Sequence, residues 1–250
     1  MAPPPLPAPD ARRAQLAENL TSVRARIDRA CVAAGRDPAE VTMVAVTKTY
    51  PADDVVSLAG LGVTDVGENR DQEAAPKAAE VSAAGVDVRW HFVGQVQRNK
   101  ARSVVRYADL VHSVDSVRLA VALGEAADRH RDRDRPLAAL VQVNLDGAAD
   151  RGGALVGGGD RDREVGAVAA ALAGRPELRL SGVMAVAPLD WEPERAFARL
   201  AEVAAGLRAD HPDAVVVSAG MSGDLEAAIR HGATHVRIGS ALLGMRSTLR

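Results

Sequence analysis

Short apolar, β-branched runs alternate with helix-forming stretches along most of this 250-residue chain. The eight runs that predict strands are 41–47, 63–66, 88–93, 110–112, 138–144, 180–185, 214–218 and 235–238. The stretches that predict helices are 10–34, 52–60, 70–84, 97–106, 115–132, 161–174, 193–209, 222–230 and 240–246. Such alternation implies parallel strands joined by right-handed crossovers. Eight units in about 200–250 residues favour an α/β fold, a single (β/α)8 TIM barrel with an extra N-terminal helix, over an open doubly wound sheet.

Composition and charge narrow the classes of protein that this sequence can encode. A formal net charge of −2 gives no electrostatic case for nucleic acid as a partner, and no apolar run approaches the ~18 residues of a membrane span. The single cysteine, Cys31, excludes an internal disulfide framework and a multi-cysteine zinc site. Residues 1–9 contain five prolines and predict a disordered lead. We therefore expect one domain over residues 10–250, in a cytoplasmic protein without a secretory leader.

Lysine is rare in this chain, since only three of the 31 Lys and Arg residues are lysines. Lys48 ends the first predicted strand, at the mouth of the barrel where the chemistry of such folds takes place. We expect its amine to be partly desolvated there and nucleophilic toward an aldehyde, with a plain surface charge as the alternative. Lys77 lies on an Ala-rich helical face and is predicted to be solvated. Lys100 opens a helix within a local basic cluster, and a surface role is expected for it over contact with an anion.

The segment 218–229 is a candidate anion site. A β-branched run ends at Ser218, Gly220 permits an unusual turn, and Ser222 stands where a helix is predicted to begin. Free N–H groups and the helix dipole favour an anion at such a position. A plain Ser N-cap without a ligand is the alternative.

A second candidate lies at the end of the last predicted strand. Arg237 falls within an apolar run and needs an anionic partner, either a ligand or a structural carboxylate. Gly239 and Ser240 follow it and suit phosphate oxygens. Because the eighth strand of a closed barrel pairs with the first, Lys48 lies beside both candidate phosphate sites. A phosphate site next to an imine-forming amine suits pyridoxal 5′-phosphate (PLP).

The sequence resembles the family of PLP homeostasis proteins, also called the YggS/PROSC family, whose barrel is similar to the N-terminal barrel of alanine racemase. The matching segments run nearly end to end: VRARIDRACVAAGRDP (23–38), VAVTKTYP (44–51), VGENRDQEA (66–74), WHFVGQVQRNKAR (90–102), VHSVDS (111–116), LSGVMAVAP (180–188), GMSGDLEAAI (220–229) and THVRIGSALLG (234–244). The resemblance implies a fold type III PLP-binding barrel that stores PLP, or delivers it to PLP-dependent apoenzymes. Family members are mostly monomers.

The resemblance also implies a set of cofactor-binding residues. Lys48 would carry PLP as an internal aldimine, and the residues around its phosphate and ring would be Ser218, Met221, Ser222, Arg237, Gly239, Ser240, Asn69 and His91. Of these, Asn69 and His91 would lie near the ring. Two positions depart from the family pattern: Arg151 replaces a lysine after the fifth strand, and Arg70 replaces an aromatic residue.

Resemblance to a racemase raises the question of catalysis. Racemisation at Cα needs an acid and a base on opposite faces, and the racemase takes its second base, a tyrosine, from a separate β-domain. This sequence shows no such domain, so we expect a PLP carrier with little or no catalytic activity. The alternatives are a PLP-dependent enzyme such as an amino-acid racemase, and a barrel in which Lys48 forms an imine with a sugar-phosphate carbonyl.

Overall fold

The structure is a computed structural model that describes residues 9–132 and 135–244. Residues 1–8 of the proline-rich lead and the predicted helical residues 245–246 lie outside the described residues. Pro9 was assigned to the lead by sequence, and this is wrong, because α1 begins at Pro9. Proline at the first position of a helix is favourable, since its missing N–H has no intrahelical partner there.

The strands of the described residues form one parallel sheet. They are β1 Thr42–Val46, β2 Asp65–Glu68, β3 Arg89–Phe92, β4 Leu110–Val114, β5 Leu137–Asn144, β6 Ala154–Leu155, β7 Leu178–Met184, β8 Val216–Ser218 and β9 His235–Ile238. Pairing runs from β1 through β2, β3, β4, β5, β7, β8 and β9, and β9 pairs with β1 again. The predicted closed barrel of eight strands is therefore confirmed. The short strand β6 is additional, and it pairs with the end of β5 beyond the reach of β7.

Helices surround the barrel in the predicted alternation. They are α1 Pro9–Ala33, α2 Ala52–Ala59, α3 Asp71–Ala83, α4 Ala101–Tyr107, α5 Val117–His130, α6 Val165–Ala173, α7 Pro193–Asp210, α8 Leu225–Arg230 and α9 Ser240–Leu243, with 3-10 turns at Pro38–Glu40 and Arg98–Lys100. The extra helix α1 packs on α2, α8 and α9. Among the helices of the described ranges, none is both long and apolar enough to cross a membrane.

The barrel interior is divided into an apolar and a polar part. One cluster of buried apolar side chains comes from β4, β5 and β7 and contains Leu110, Ala138, Leu140 and Met184. The interior next to β2, β3, β8 and β9, together with the middle of β4, holds buried polar and charged side chains instead, namely Asp65, His91, His112, Ser218 and Arg237. Buried polar groups are stable only when they are hydrogen-bonded, so the polar part depends on mutual pairing.

Candidate functional site

Lys48 lies at the carboxyl mouth of the barrel, two residues beyond the end of β1. Side chains alternate along a strand, so Val44 and Val46 share one face of β1, and Lys48 follows in the turn after it. That face is the interior one, because a Cβ added to Gly67, on the inward face of β2, would meet Val44 at 3.1 Å and Val46 at 3.5 Å. The Lys48 side chain is nevertheless exposed. The predicted partial desolvation of the amine is therefore wrong.

The backbone around Lys48 adopts an unusual conformation. Thr49 has φ +68°, and among the described residues it is the one non-glycine residue in the left-handed region. A residue held there costs of order 1–3 kcal/mol, and such strain concentrates at functional sites where neighbouring groups maintain it. The Thr49 N–H donates to Glu73 Oε2 of α3 at 3.2 Å. This turn fixes the direction in which the chain leaves Lys48.

A buried ion pair fixes the other side of the same turn. The Lys77 ammonium donates to Glu68 Oε1 at 2.6 Å and to the Thr47 carbonyl at 2.9 Å, and the Thr47 hydroxyl donates to the same carboxylate oxygen at 2.7 Å. Burial raises the pKa of the Glu68 carboxyl, although the hydrogen bonds from Lys77 and Thr47 act to lower it. Glu68 Oε2 is buried and accepts no hydrogen bond from a described residue. The prediction that Lys77 is solvated is wrong, since only 8% of its side chain is exposed.

The first predicted phosphate loop follows β8. Gly220 has φ +87°, and a Cβ there would lie 2.6 Å from the Cβ of Ala228, so glycine is required. Asp224 accepts the Met221 N–H at 2.6 Å. The Ser222 hydroxyl has no partner among the described residues, so it does not cap the helix as the sequence alternative suggested. Met221 is 39% exposed at the rim.

The second predicted phosphate loop follows β9 and lies directly beside β1. The register of these strands pairs Ala45 with Ile238, and a Cβ on Gly239 would contact the Val46 carbonyl at 3.6 Å. Ser240 is exposed, and its hydroxyl has no partner among the described residues. On the other side of β1, Val46 pairs with Gly67, so Asn69 follows β2 at the same mouth at which Lys48 follows β1. The strand register therefore brings Lys48, Asn69, Gly239 and Ser240 together at one mouth.

Arg237 is the buried cation beneath these loops. Its guanidinium donates to the Ser218 hydroxyl at 2.7 Å, to the Ser218 carbonyl at 2.9 Å and to the Ala185 carbonyl at 3.0 Å. Burial lowers its pKa to about 10, which still leaves it charged at neutral pH. Among the described residues no carboxylate forms an ion pair with it, so the structural carboxylate considered from sequence is not found in direct contact.

Asn69 and His91 occupy different levels of the barrel. Asn69 lies at the mouth, where its backbone approaches Gly94 so closely that a Cβ on Gly94 would clash with the Asn69 carbonyl. His91 is buried within β3, and both of its ring nitrogens have protein partners, Asp65 Oδ1 at 2.9 Å and His112 Nε2 at 2.9 Å. Sequence analysis assigned no role to Asp65 or His112.

Comparison with known proteins decides the family. The alanine racemase N-terminal domain matches residues 13–247. A protein of Mycobacterium tuberculosis named pyridoxal phosphate homeostasis protein is 44% identical over 94% of this chain and 94% of its own. Its namesake in Escherichia coli is 38% identical, over 92% of this chain and 97% of its own. This chain belongs to the pyridoxal phosphate homeostasis protein family.

Two kinds of solved barrel structure are similar to this PLP homeostasis family member. PipY of Synechococcus elongatus, solved with PLP bound, has a TM-score of 0.74 and 32% identity, covering 92% of this chain and 100% of PipY. Alanine racemase of Corynebacterium glutamicum has a TM-score of 0.64 at 17% identity, covering 95% of this chain and 63% of the racemase. The second likeness shows a shared fold alone.

The two residues that depart from the family pattern form ion pairs of their own. Arg151 pairs with Asp146 at 3.0 Å in the loop after β5. Arg70 is exposed and pairs at 3.5 Å with Glu73, the carboxylate that also accepts the Thr49 N–H beside Lys48. Neither arginine hydrogen-bonds to Lys48 itself or to the two loops described above.

Proposed function

We propose that this protein binds PLP through Lys48 and stores or delivers it, with little or no catalytic activity of its own. One observation carries the proposal: four polar side chains in the segments that follow β1, β2, β8 and β9 have no hydrogen-bond partner among the described residues. They are Lys48, Asn69, Ser222 and Ser240. An uncommitted amine beside uncommitted hydroxyls matches a ligand that carries both an aldehyde and a phosphate.

The residues present fit this cofactor. When bound, PLP supplies an aldehyde that condenses with a primary amine, and a phosphate that seeks N–H and O–H donors. The Ser222 and Ser240 hydroxyls, with the backbone at Gly239, are the donors we assign to the phosphate. Arg237 supplies a positive charge without a paired carboxylate among the described residues, and Ser218 holds its guanidinium in place. The strained turn at Thr49 and the Lys77–Glu68 pair hold Lys48 between them.

A carrier is favoured over an enzyme by the state of the two tyrosines. The Tyr50 hydroxyl donates to the Gly244 carbonyl at 2.7 Å. Tyr107 is buried beside Asp71, and burial raises the pKa of its phenol far above the ordinary value. Racemisation at Cα needs a second acid or base opposite the lysine. Both phenols are engaged elsewhere, so neither serves as that group in the described arrangement.

The names of relatives support the same conclusion, since they are called pyridoxal phosphate homeostasis proteins and PipY was solved with PLP bound. The sugar-phosphate alternative has no comparable support. Delivery to PLP-dependent apoenzymes, a monomeric state and a cytoplasmic location stay predictions.

Titration of the purified protein with PLP tests the proposal. We expect a visible absorption band with one PLP per chain, absent in Lys48→Ala and retained in the matched control Lys100→Ala. A band that persists in Lys48→Ala would refute the assignment of the lysine. Rapid exchange of the alanine α-proton for solvent deuterium, dependent on Lys48, would refute the carrier function and favour the enzyme.

A further inference from the structure

Five buried residues form one hydrogen-bonded chain through the polar part of the barrel. Asp65 Oδ1 lies 2.9 Å from His91 Nε2, and His91 Nδ1 lies 2.9 Å from His112 Nε2. His112 Nδ1 lies 2.9 Å from the Ser218 hydroxyl, which accepts from the Arg237 guanidinium at 2.7 Å. The chain begins at the amino end of β2 and ends beneath the cofactor mouth.

The chemistry of the two ends fixes the protons between them. Asp65 is ionised, because hydrogen bonds from His91, Arg89 and Thr64 hold its pKa far below the ordinary value despite burial. With a neutral ring, His91 therefore donates through Nε2 and accepts at Nδ1. His112 then donates through Nε2 and accepts the Ser218 O–H at Nδ1. Burial and nearby positive charge keep the pKa of His112 well below its usual value, so it stays neutral.

This proton order decides what Ser218 can do for Arg237. With its own proton given to His112, the Ser218 oxygen presents lone pairs to the guanidinium. If His112 carried its proton on Nδ1 instead, the Ser218 oxygen would accept from both His112 and Arg237, and the buried serine proton would lose its acceptor. Asp65, at the opposite end of the barrel, therefore sets the orientation of the Ser218 hydroxyl to which the Arg237 guanidinium donates.

We propose that Asp65 and His112 are positioning residues of the cofactor site, which act through His91 and Ser218 to hold Arg237 in its PLP-binding position. The proposal rests on the proposed function, because PLP is the group that Arg237 is held in position to bind. The proposed role also explains why buried polar groups are retained beside β2, β3 and β9. Apolar residues fill the rest of the interior, and burying them costs less desolvation free energy. A chain satisfied at every link is stable, and breaking one link leaves buried groups unpaired.

The first test needs no cofactor. Nitrogen-15 NMR of histidine-labelled protein at pH 7 reports the tautomer of each ring. We expect His91 and His112 both neutral and both protonated on Nε2. A His112 ring that is charged, or protonated on Nδ1, would overturn the proposal even if the protein binds PLP.

The second test measures PLP affinity in two matched variants. In His112→Gln the amide offers one donor and one acceptor with the spacing of the ring nitrogens, whereas His112→Leu offers neither. We expect the Kd for PLP to rise about tenfold or more in the leucine variant, the scale of one lost charge-linked hydrogen bond, and less than about threefold in the glutamine variant. Equal affinities in the two variants would refute a positioning role.

Asp65→Asn is a third variant, and it tests the positioning role even if His112→Leu does not fold. Its control is Asp109→Asn, another arginine-paired carboxylate at the amino end of the barrel, bonded to Arg135 at 2.8 Å and to the Trp90 N–H. We expect weaker PLP binding and mixed histidine tautomers only in Asp65→Asn. Unchanged tautomers and affinity there would overturn the proposal. If the wild-type protein binds no PLP while the tautomers are as expected, it is the proposed function that fails.

Discussion

Removal of the Lys77 ammonium should destabilise the protein more than any surface lysine substitution could. Lys77→Met keeps the length of the side chain and deletes two hydrogen bonds, to Glu68 Oε1 at 2.6 Å and to the Thr47 carbonyl at 2.9 Å. Glu68 would then stay buried with one oxygen already unpartnered among the described residues and the other bonded only to Thr47. The substitution therefore also removes the hydrogen bond to the carbonyl of Thr47, the residue that precedes Lys48.

The magnitude follows from the burial of both partners, whose side chains are 8% and 1% exposed. Breaking a buried ion pair by removing one partner costs about 3–5 kcal/mol, because the remaining charge is uncompensated. The double variant Glu68→Gln/Lys77→Met leaves no buried charge, so we expect it to recover most of this loss. Since burial raises the pKa of Glu68, the single variant should also lose less stability at mildly acidic pH, where the carboxyl is neutralised by protonation.

Urea unfolding followed by circular dichroism measures these free energies of unfolding, with Lys100→Met as the matched control. Lys100 is half-buried and lies 3.9 Å from Asp71, so its substitution should change the free energy by no more than about 1 kcal/mol. If Lys77→Met is as stable as Lys100→Met, or if the double variant is no more stable than Lys77→Met, the reasoning about the buried pair is refuted.

Three further predictions concern the loops and the histidines. Gly220→Ala should lose about 1–3 kcal/mol of stability to strain and weaken PLP binding, whereas Gly223→Ala, with no atom within 4 Å of an added Cβ, should do neither in unfolding and binding assays. Ser240→Ala should weaken PLP binding without changing the melting temperature. Burial lowers the pKa of His235 to about 4 and holds the pKa of His112 well below its usual value, so the unfolded chain binds protons that the native protein does not. Unfolding free energy should therefore fall as pH drops below 6.5, by up to about 1.4 kcal/mol per pH unit for each histidine, with a shallower slope in His112→Gln.

The barrel could be predicted from sequence because strands buried on both faces are apolar at nearly every position. β9 was predicted at its observed bounds, and β1 and β3 within one residue at each end. β2 was predicted at 63–66 but spans Asp65–Glu68. Its first and last residues are buried carboxylates whose partners lie elsewhere in the chain. The observed strand therefore lacks the continuous apolar run by which the other strands were predicted.

The gathering of Lys48 and the two loops at one mouth was predictable for a topological reason. In a closed barrel the ends of β1, β8 and β9 are neighbours, and residues that suit a phosphate follow two of them. The burial of the Lys77 side chain was not predictable, because the Ala-rich sequence of α3 resembles that of a solvent-exposed helix face. Asp65, His91 and His112 lie 21 or more residues apart and meet only after closure.

The identity of the lysine that reacts with PLP is the most direct test of this account. The protein is incubated with PLP, reduced with borohydride, digested and analysed by peptide mass spectrometry, with Lys48, Lys77, Lys100 and the N-terminal amine as the alternative sites. The account predicts a phosphopyridoxyl group on Lys48 alone at one equivalent of PLP. Modification of another amine, with Lys48 unmodified, would contradict it.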